Sequence, residues 1–119
     1  MEKLVSFFEI PATDFDRAVN FYQSVFKVKI DVADCDETEK MGFFPNCEGA
    51  ISFSELIKPC SDGVLISLKT DSIESALVEI TKSGGKVEIE KTAIQAEGMG
   101  FFAVFIDCEG NKIGLHERN

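Results

Sequence analysis

Thr13-Asp14-Phe15-Asp16-Arg17-Ala18-Val19-Asn20-Phe21-Tyr22-Gln23-Ser24-Val25-Phe26-Lys27 reads as a helix lying on a sheet. Thr13 and Asp16 stand at the spacing of a reciprocal N-terminal cap, in which a hydroxyl and a carboxylate take up the first free backbone N–H groups. Phe15, Ala18, Val19, Tyr22, Val25 and Phe26 then recur at steps of three and four residues, which gathers them on one apolar stripe. The helix is expected to end near Lys27. Ahead of it, Leu4 to Ile10 is apolar and strand-like.

The same order returns 58 residues later. Val64 to Lys69 reads as a strand, Asp71-Ser72-Ile73-Glu74 as a helix start, and Ile73, Ala76, Leu77 and Ile80 as its apolar stripe. Gly84-Gly85 closes this helix, because glycine reaches the left-handed conformation of a helix end without a Cβ clash. A strand from Lys86 to Glu90 follows. The halves also end alike: Cys47-Glu48-Gly49-Ala50-Ile51-Ser52-Phe53-Ser54-Glu55 matches Cys108-Glu109-Gly110-Asn111-Lys112-Ile113-Gly114-Leu115-His116-Glu117 with one residue inserted, each a turn that becomes a strand. Period two puts Ile51 with Phe53, and Ile113 with Leu115, on one face; Ser52 with Ser54, and Gly114 with His116, take the other.

Between helix and last strand each half has room for two more strands, the clearest being the continuous apolar run Phe101 to Ile106, expected to be buried on both faces. The pattern is strand, helix, three strands, twice over. It predicts an α+β fold of two βαβββ modules, about 1–58 and about 62–117, joined at the polar connector Lys58-Pro59-Cys60-Ser61-Asp62-Gly63. The expected architecture is a curved, antiparallel-rich sheet with helices outside and a concave cleft.

Length and charge narrow the function classes. A chain of 119 residues is about one domain, and 45% hydrophobic with 28% charged residues is the balance of a globular protein. No apolar run approaches the roughly 20 residues that cross a bilayer, and Met1-Glu2-Lys3-Leu4-Val5 lacks the features of a secretory signal, so a cytosolic location is expected. Cys35, Cys47, Cys60 and Cys108 show neither zinc nor redox spacing and are expected to be free thiols. A formal charge of −9 with scattered Lys and Arg argues against nucleic acid and against anionic membranes. The acidic run Asp31 to Glu39 lacks the alternation and glycine of an EF-hand and reads as a solvated loop.

Asp14 to Tyr22 resembles the helix signature of glyoxalase-like proteins, and Phe101 to Leu115 resembles their closing strand pair. The chain is thereby similar, over essentially its whole length, to the vicinal oxygen chelate superfamily of glyoxalase I, bleomycin-resistance proteins and extradiol dioxygenases. The resemblance implies a divalent metal held by one side chain from the first and one from the last strand of each module. Carried onto this chain, those positions are Phe7, Ser52, Leu65 and Gly114, which offer no ligand set. No metal and no other cofactor are therefore expected, and metal-dependent glyoxalase, dioxygenase and thiol-transfer chemistry is disfavoured.

Two residues further along each strand, on the same face, stand Glu9, Ser54, Ser67 and His116. His116 is the only histidine, able to take or give a proton near pH 7; a structural histidine satisfied by backbone or water is an equal reading. Glu9 interrupts an apolar strand, where a carboxylate needs a partner, a proton or a wet cavity; a structural hydrogen bond is again the plain alternative. Glu9 and His116 are the candidate acid–base pair, with Phe7, Phe44, Ser52, Ser54, Leu65 and Ser67 as ligand contacts. Phe43 and Phe44 are read as an apolar wall, although ordinary core is the commoner fate of such residues. Three functions fit: a glyoxalase-like lyase or isomerase acting on a small oxygenated metabolite, a non-catalytic binding or sequestering dimer of the bleomycin-resistance type, and a domain that has kept the architecture and lost the chemistry. A homodimer with a small-molecule ligand is expected.

Overall fold

A computed structural model describes residues 4–33 and 37–118. Cys35, the centre of the acidic run and Met1 to Lys3 lie outside them. The element order is β1 Phe8–Pro11, α1 Phe15–Phe26, β2 Asp31–Ala33, β3 Lys40–Phe43, a 3-10 turn Pro45–Cys47, β4 Gly49–Phe53, β5 Ser67–Lys69, α2 Ile73–Lys82, β6 Lys86–Ala93, β7 Phe101–Ile106 and β8 Lys112–Glu117. The strand, helix, three-strand pattern therefore occurs twice. The expected two-module α+β architecture is present, its strands forming two four-stranded sheets, β1-β4-β3-β2 and β5-β8-β7-β6. In each, the first and last strands of the module pair in parallel and the other neighbours antiparallel.

The opening strands are shorter than the apolar runs that announced them. Pairing of β1 with β4 starts at Phe8 opposite Gly49, and pairing of β5 with β8 starts at Ser67 opposite Gly114. Apolar character alone does not make a strand; a ladder partner does. In the opposite direction, β6 continues past Glu90 to Ala93 because register shifts after Val87 and Ile89 let it stay paired with β7. Within β7, Ala103, Val104 and Phe105 are buried, while Phe101, Phe102 and Ile106 are half-buried.

The start of α1 differs from the expected cap. Asp14, not Thr13, caps the helix, accepting from the Arg17 N–H at 3.1 Å. Thr13 instead donates its backbone N–H and hydroxyl to Glu109 Oε1, at 2.6 and 2.7 Å, because a carboxylate from the other module is a stronger acceptor than a local side chain. Ser72 caps α2 through the Ser75 N–H. Gly84, at φ +99°, makes the left-handed turn that ends the α2 segment.

One core joins both modules. It holds Ile10, Phe15, Phe21, Tyr22 and Ile51 from the first together with Ile73, Ile80, Phe105, Ile113 and Leu115 from the second. Phe21 lies off the expected α1 stripe yet is buried, since α1 also meets the second module: its ring is 6.1 Å from that of Phe105. The Tyr22 hydroxyl donates to Asp107 Oδ2 at 2.7 Å in this interior, and burial beside that carboxylate pushes the phenol well above its usual range.

Candidate functional site

The side chains that face the helices identify, by alternation, those that do not. A Cβ on Gly42 would run into Ile30, Phe15 and Val19, so Gly42 and its register partner Ile51 face α1. Their neighbours Met41, Phe43, Ala50 and Ser52 face away, as does Glu9, the register partner of Ala50. On this helix-free face the Ser52 hydroxyl donates to Glu9 Oε1 at 2.7 Å. Ser52 is 3% exposed, so its hydroxyl needs that partner, whereas Glu9 is exposed and has further acceptor capacity toward a ligand. A cavity of about 300 Å³ lies beside the pair, lined also by Met41, Phe53, Ser54 and Ile57. Ser54 Oγ accepts the Leu56 N–H at 3.1 Å and so serves its own turn as well.

Phe7, 39% exposed, sits with its ring 6.2 Å from Phe43 on the same side. Phe44 goes elsewhere: its ring lies 5.7 Å from Phe8 and 5.7 Å, edge to face, from Tyr22, within the core. Of this pair it is Phe43, at the end of β3, that lies on the helix-free side. Phe7 and Phe43 are thus neighbours on the helix-free side, whereas Phe44 packs toward Phe8 and Tyr22.

In the second module Leu115 and Ile113 face the core, so Gly114, His116 and Ser67 occupy the helix-free face. A Cβ on Gly114 would collide with Ser67 Oγ, so the serine side chain fills the space where a larger residue at 114 would reach. His116 Nε2 lies 2.7 Å from the Met99 carbonyl. A carbonyl only accepts, so Nε2 carries the proton, and among the described residues Nδ1 has no hydrogen-bond partner. Leu65, 48% exposed, lines a second cavity of about 270 Å³ together with Glu9, Pro11, Lys58, Cys60 and Lys112.

The structure thus brings Glu9 together with Ser52 and, across the second cavity, with Leu65. Among the described residues no hydrogen bond or ion pair joins Glu9 to His116; their partners are Ser52 and Met99. The sequence reading missed Met99, whose carbonyl fixes the imidazole, and Lys69, the register partner of His116. Lys69 had a legible signal, since it lies two residues beyond Ser67 on the same strand face. Met99 belongs to an irregular segment and had none.

No model of a protein family matches the chain. A glyoxylase-like domain-containing protein of Didymella fabae is 30% identical over 116 residues, a match spanning 90% of this chain and 88% of that one. The chain belongs to the vicinal oxygen chelate superfamily. Solved structures of that superfamily share its fold. A glyoxylase/bleomycin resistance protein/dioxygenase domain from Frankia sp. EAN1pec superposes with a TM-score of 0.74 at 14% identity, over 100% of both chains. The genomically encoded fosfomycin resistance protein of Listeria monocytogenes gives 0.69 at 17% identity, over 100% of this chain and 94% of that one.

At the positions where the vicinal oxygen chelate resemblance places a metal, this chain presents the Phe7 ring, the Ser52 hydroxyl already bound to Glu9, the Leu65 side chain and Gly114 packed against Ser67. One hydroxyl and three groups without donors do not fit a divalent cation. Among the described residues no three His, Cys, Asp or Glu side chains converge as a metal-binding group.

Proposed function

We propose that this vicinal oxygen chelate protein is a cytosolic glyoxalase-like lyase or isomerase that binds a small oxygenated metabolite against the helix-free faces of its sheets, without the superfamily's divalent metal. The observation that carries the proposal is the Ser52–Glu9 hydrogen bond at 2.7 Å on an open face beside a cavity of about 300 Å³. A carboxylate oriented by a buried hydroxyl and open to solvent is equipped to take a proton from a bound oxygenated carbon acid or hydroxyl. His116, with Nε2 tied to Met99 and Nδ1 without a hydrogen-bond partner among the described residues, is the second proton-transfer group. Phe7, Leu65, Ser54 and Ser67 supply the surrounding contacts.

The test is a metabolite trapped in the protein as isolated from cells, identified by mass spectrometry, followed by turnover assays. Glu9→Gln and His116→Asn are each expected to lose ~100- to 10,000-fold in rate. Unchanged turnover in both variants would sink the catalytic reading. Elemental analysis is expected to find no stoichiometric transition metal. About one metal per chain held by Glu9 or His116 would mean that the site had moved two residues along each strand.

A second reading, a non-catalytic sequestering dimer, is favoured by the separate partners of Glu9 and His116 and by the edges of both sheets. β1 and β5 are edge strands, and near them Phe7, Leu65 and the 94% exposed Val64 leave apolar surface uncovered. Such edges call for a partner. Sedimentation is expected to give about twice the monomer mass of 13.1 kDa; a concentration-independent monomer would exclude the dimer.

A further inference from the structure

The two helix-free faces differ in charge. The first sheet presents Glu9 and, by register with Phe43, Asp31. The second presents Lys112, His116 and Lys69. Lys112 is partly spent on Glu88, at 3.9 Å. Lys69 takes part in none of the ion pairs found among the described residues and is exposed.

Lys69 and His116 are register partners on adjacent parallel strands. Neighbouring strands lie ~4.8 Å apart, and register partners in a parallel pair share a face. Ser67 stands two residues earlier on β5, hence ~6.6 Å back along the same face, with its hydroxyl beside Gly114. The His116 ring cannot swing away freely, because Nε2–H is held on the Met99 carbonyl, and among the described residues nothing hydrogen-bonds its Nδ1. The nearest acid in sequence, Glu117, points to the other face and is occupied by the Ile73 N–H at 2.8 Å and Lys91 at 3.3 Å. The register partner of His116 on β7 is Phe102, which brings no charge. An ammonium, a hydroxyl and an oriented imidazole therefore share one face of two adjacent strands, and although Asp71 lines a cavity with Lys69, among the described residues no ion pair engages that lysine.

We infer that Ser67, Lys69 and His116 form an oxyanion-binding corner, and that the ligand of this protein carries a carboxylate, phosphate or phosphonate group which the second module holds while Glu9 faces the uncharged, oxygenated part. Lys69 supplies the charge, Ser67 a hydroxyl donor, and His116 a second N–H at Nδ1 when protonated. This deepens the ligand-binding reading of the site and rests on it for the rest of the ligand.

Because His116 is the only histidine, its imidazole signals are unambiguous by NMR. The protein is titrated with inorganic phosphate and, separately, with acetate, chloride being used to hold ionic strength constant. The expected result is a saturable shift of the His116 signals with an oxyanion but not with chloride; the stronger of the two responses tells a tetrahedral from a planar group. Lys69→Ala should weaken the anion at least about tenfold, the loss typical of one charge-assisted contact. Lys86→Ala, on the far edge strand β6, should leave it unchanged. Equal responses to chloride, or equal affinity in Lys69→Ala, would overturn the inference. A metabolite trapped against Glu9 that bears no anionic group would overturn it while leaving the proposed function intact. Conversely, saturable anion binding that depends on Lys69, with no metabolite captured and no turnover, supports the corner while removing the wider reading.

Discussion

The tripeptide Cys-Glu-Gly occurs twice, at Cys47-Glu48-Gly49 and Cys108-Glu109-Gly110, at matching places in the two modules, and the two copies have opposite fates. In the first, Pro45, Asn46, Cys47 and Glu48 are exposed, and Asn46 and Cys47 have positive φ. In the second, the turn is locked by Asp107, which is 4% exposed and accepts from the Tyr22 hydroxyl, the Glu109 and Asn111 N–H groups and the Asn111 amide at 2.7–3.1 Å. Asn111 also donates to the Pro11 carbonyl and accepts from the Cys60 N–H, which ties the turn to the first module and to the connector. What separates the copies is not the tripeptide but its flanks and what lies opposite. The start of α1 offers free N–H groups to Glu109, whereas at the start of α2 the Ile73 N–H is already taken by Glu117 of the same module. A sequence repeat thus yields one latch and one exposed loop.

The largest expected effect tests the latch directly. Asp107→Ala would strand the buried Tyr22 hydroxyl and two turn N–H groups, and should cost about 3–5 kcal/mol of stability. Asn46→Gly, at the corresponding place in the first module, suits a positive φ and should stay within about 0.5 kcal/mol. Urea denaturation of the two variants measures the difference; similar midpoints would mean that the turns are equivalent despite their contacts.

Next in size is the reactivity of the two cysteines. Burial, with Asp107 adding to it, pushes the Cys108 thiol from 9.0 up to about 11, so its thiolate fraction at neutral pH falls about 100-fold below that of an ordinary thiol. Cys47 is exposed. Iodoacetamide followed by peptide mapping should label Cys47 long before Cys108, and should label both at similar rates in urea. Equal labelling of the native protein would show that the second turn opens freely.

Much of this was readable in advance, and the unread part has a pattern. Periodicity located both helices, the Phe101–Ile106 strand and, in each sheet, the helix-free side that carries Glu9 with Ser52 or Ser67 with His116, because alternation depends only on local geometry. Strand lengths were less legible, since whether Leu4 to Phe7 belong to a ladder is decided by β4, far along the chain. The same holds for partners. Nothing in Thr13 announces that its N–H will seek Glu109, 96 residues away, and nothing in Phe44 says that its ring will meet Tyr22. A chain with two near-copies of one module gives every turn two candidate partners, and only tertiary packing chooses between them.

The smallest expected difference is between the two glutamates of those turns, and pH brings it out. The Glu109 side chain is 1% exposed, and burial alone would raise its pKa. That tendency is outweighed by donors converging on the carboxylate: the Thr13 N–H at 2.6 Å, the Arg17 guanidinium at 2.6 Å, the Thr13 hydroxyl at 2.7 Å and the Asp14 N–H at 3.1 Å, which together hold it below 4.5. A carboxyl group whose pKa is lower folded than unfolded stabilises the fold fully above its unfolded value of about 4.3, and loses that contribution as pH falls through the folded value. Glu109→Gln should therefore cost about 1–2 kcal/mol at pH 7, the range of a lost helix cap, and its deficit against the parent protein should shrink as the pH falls below about 4. Salt should change the deficit little, since Arg17 is half exposed and its share of the interaction is already screened, leaving the backbone N–H bonds as the larger part. Glu48→Gln, on the exposed turn, should not show that cost. If both variants ran parallel to the parent across the acid limb, the acid sensitivity would belong to other carboxyl groups, and Glu109 would hold the start of α1 by shape rather than by charge.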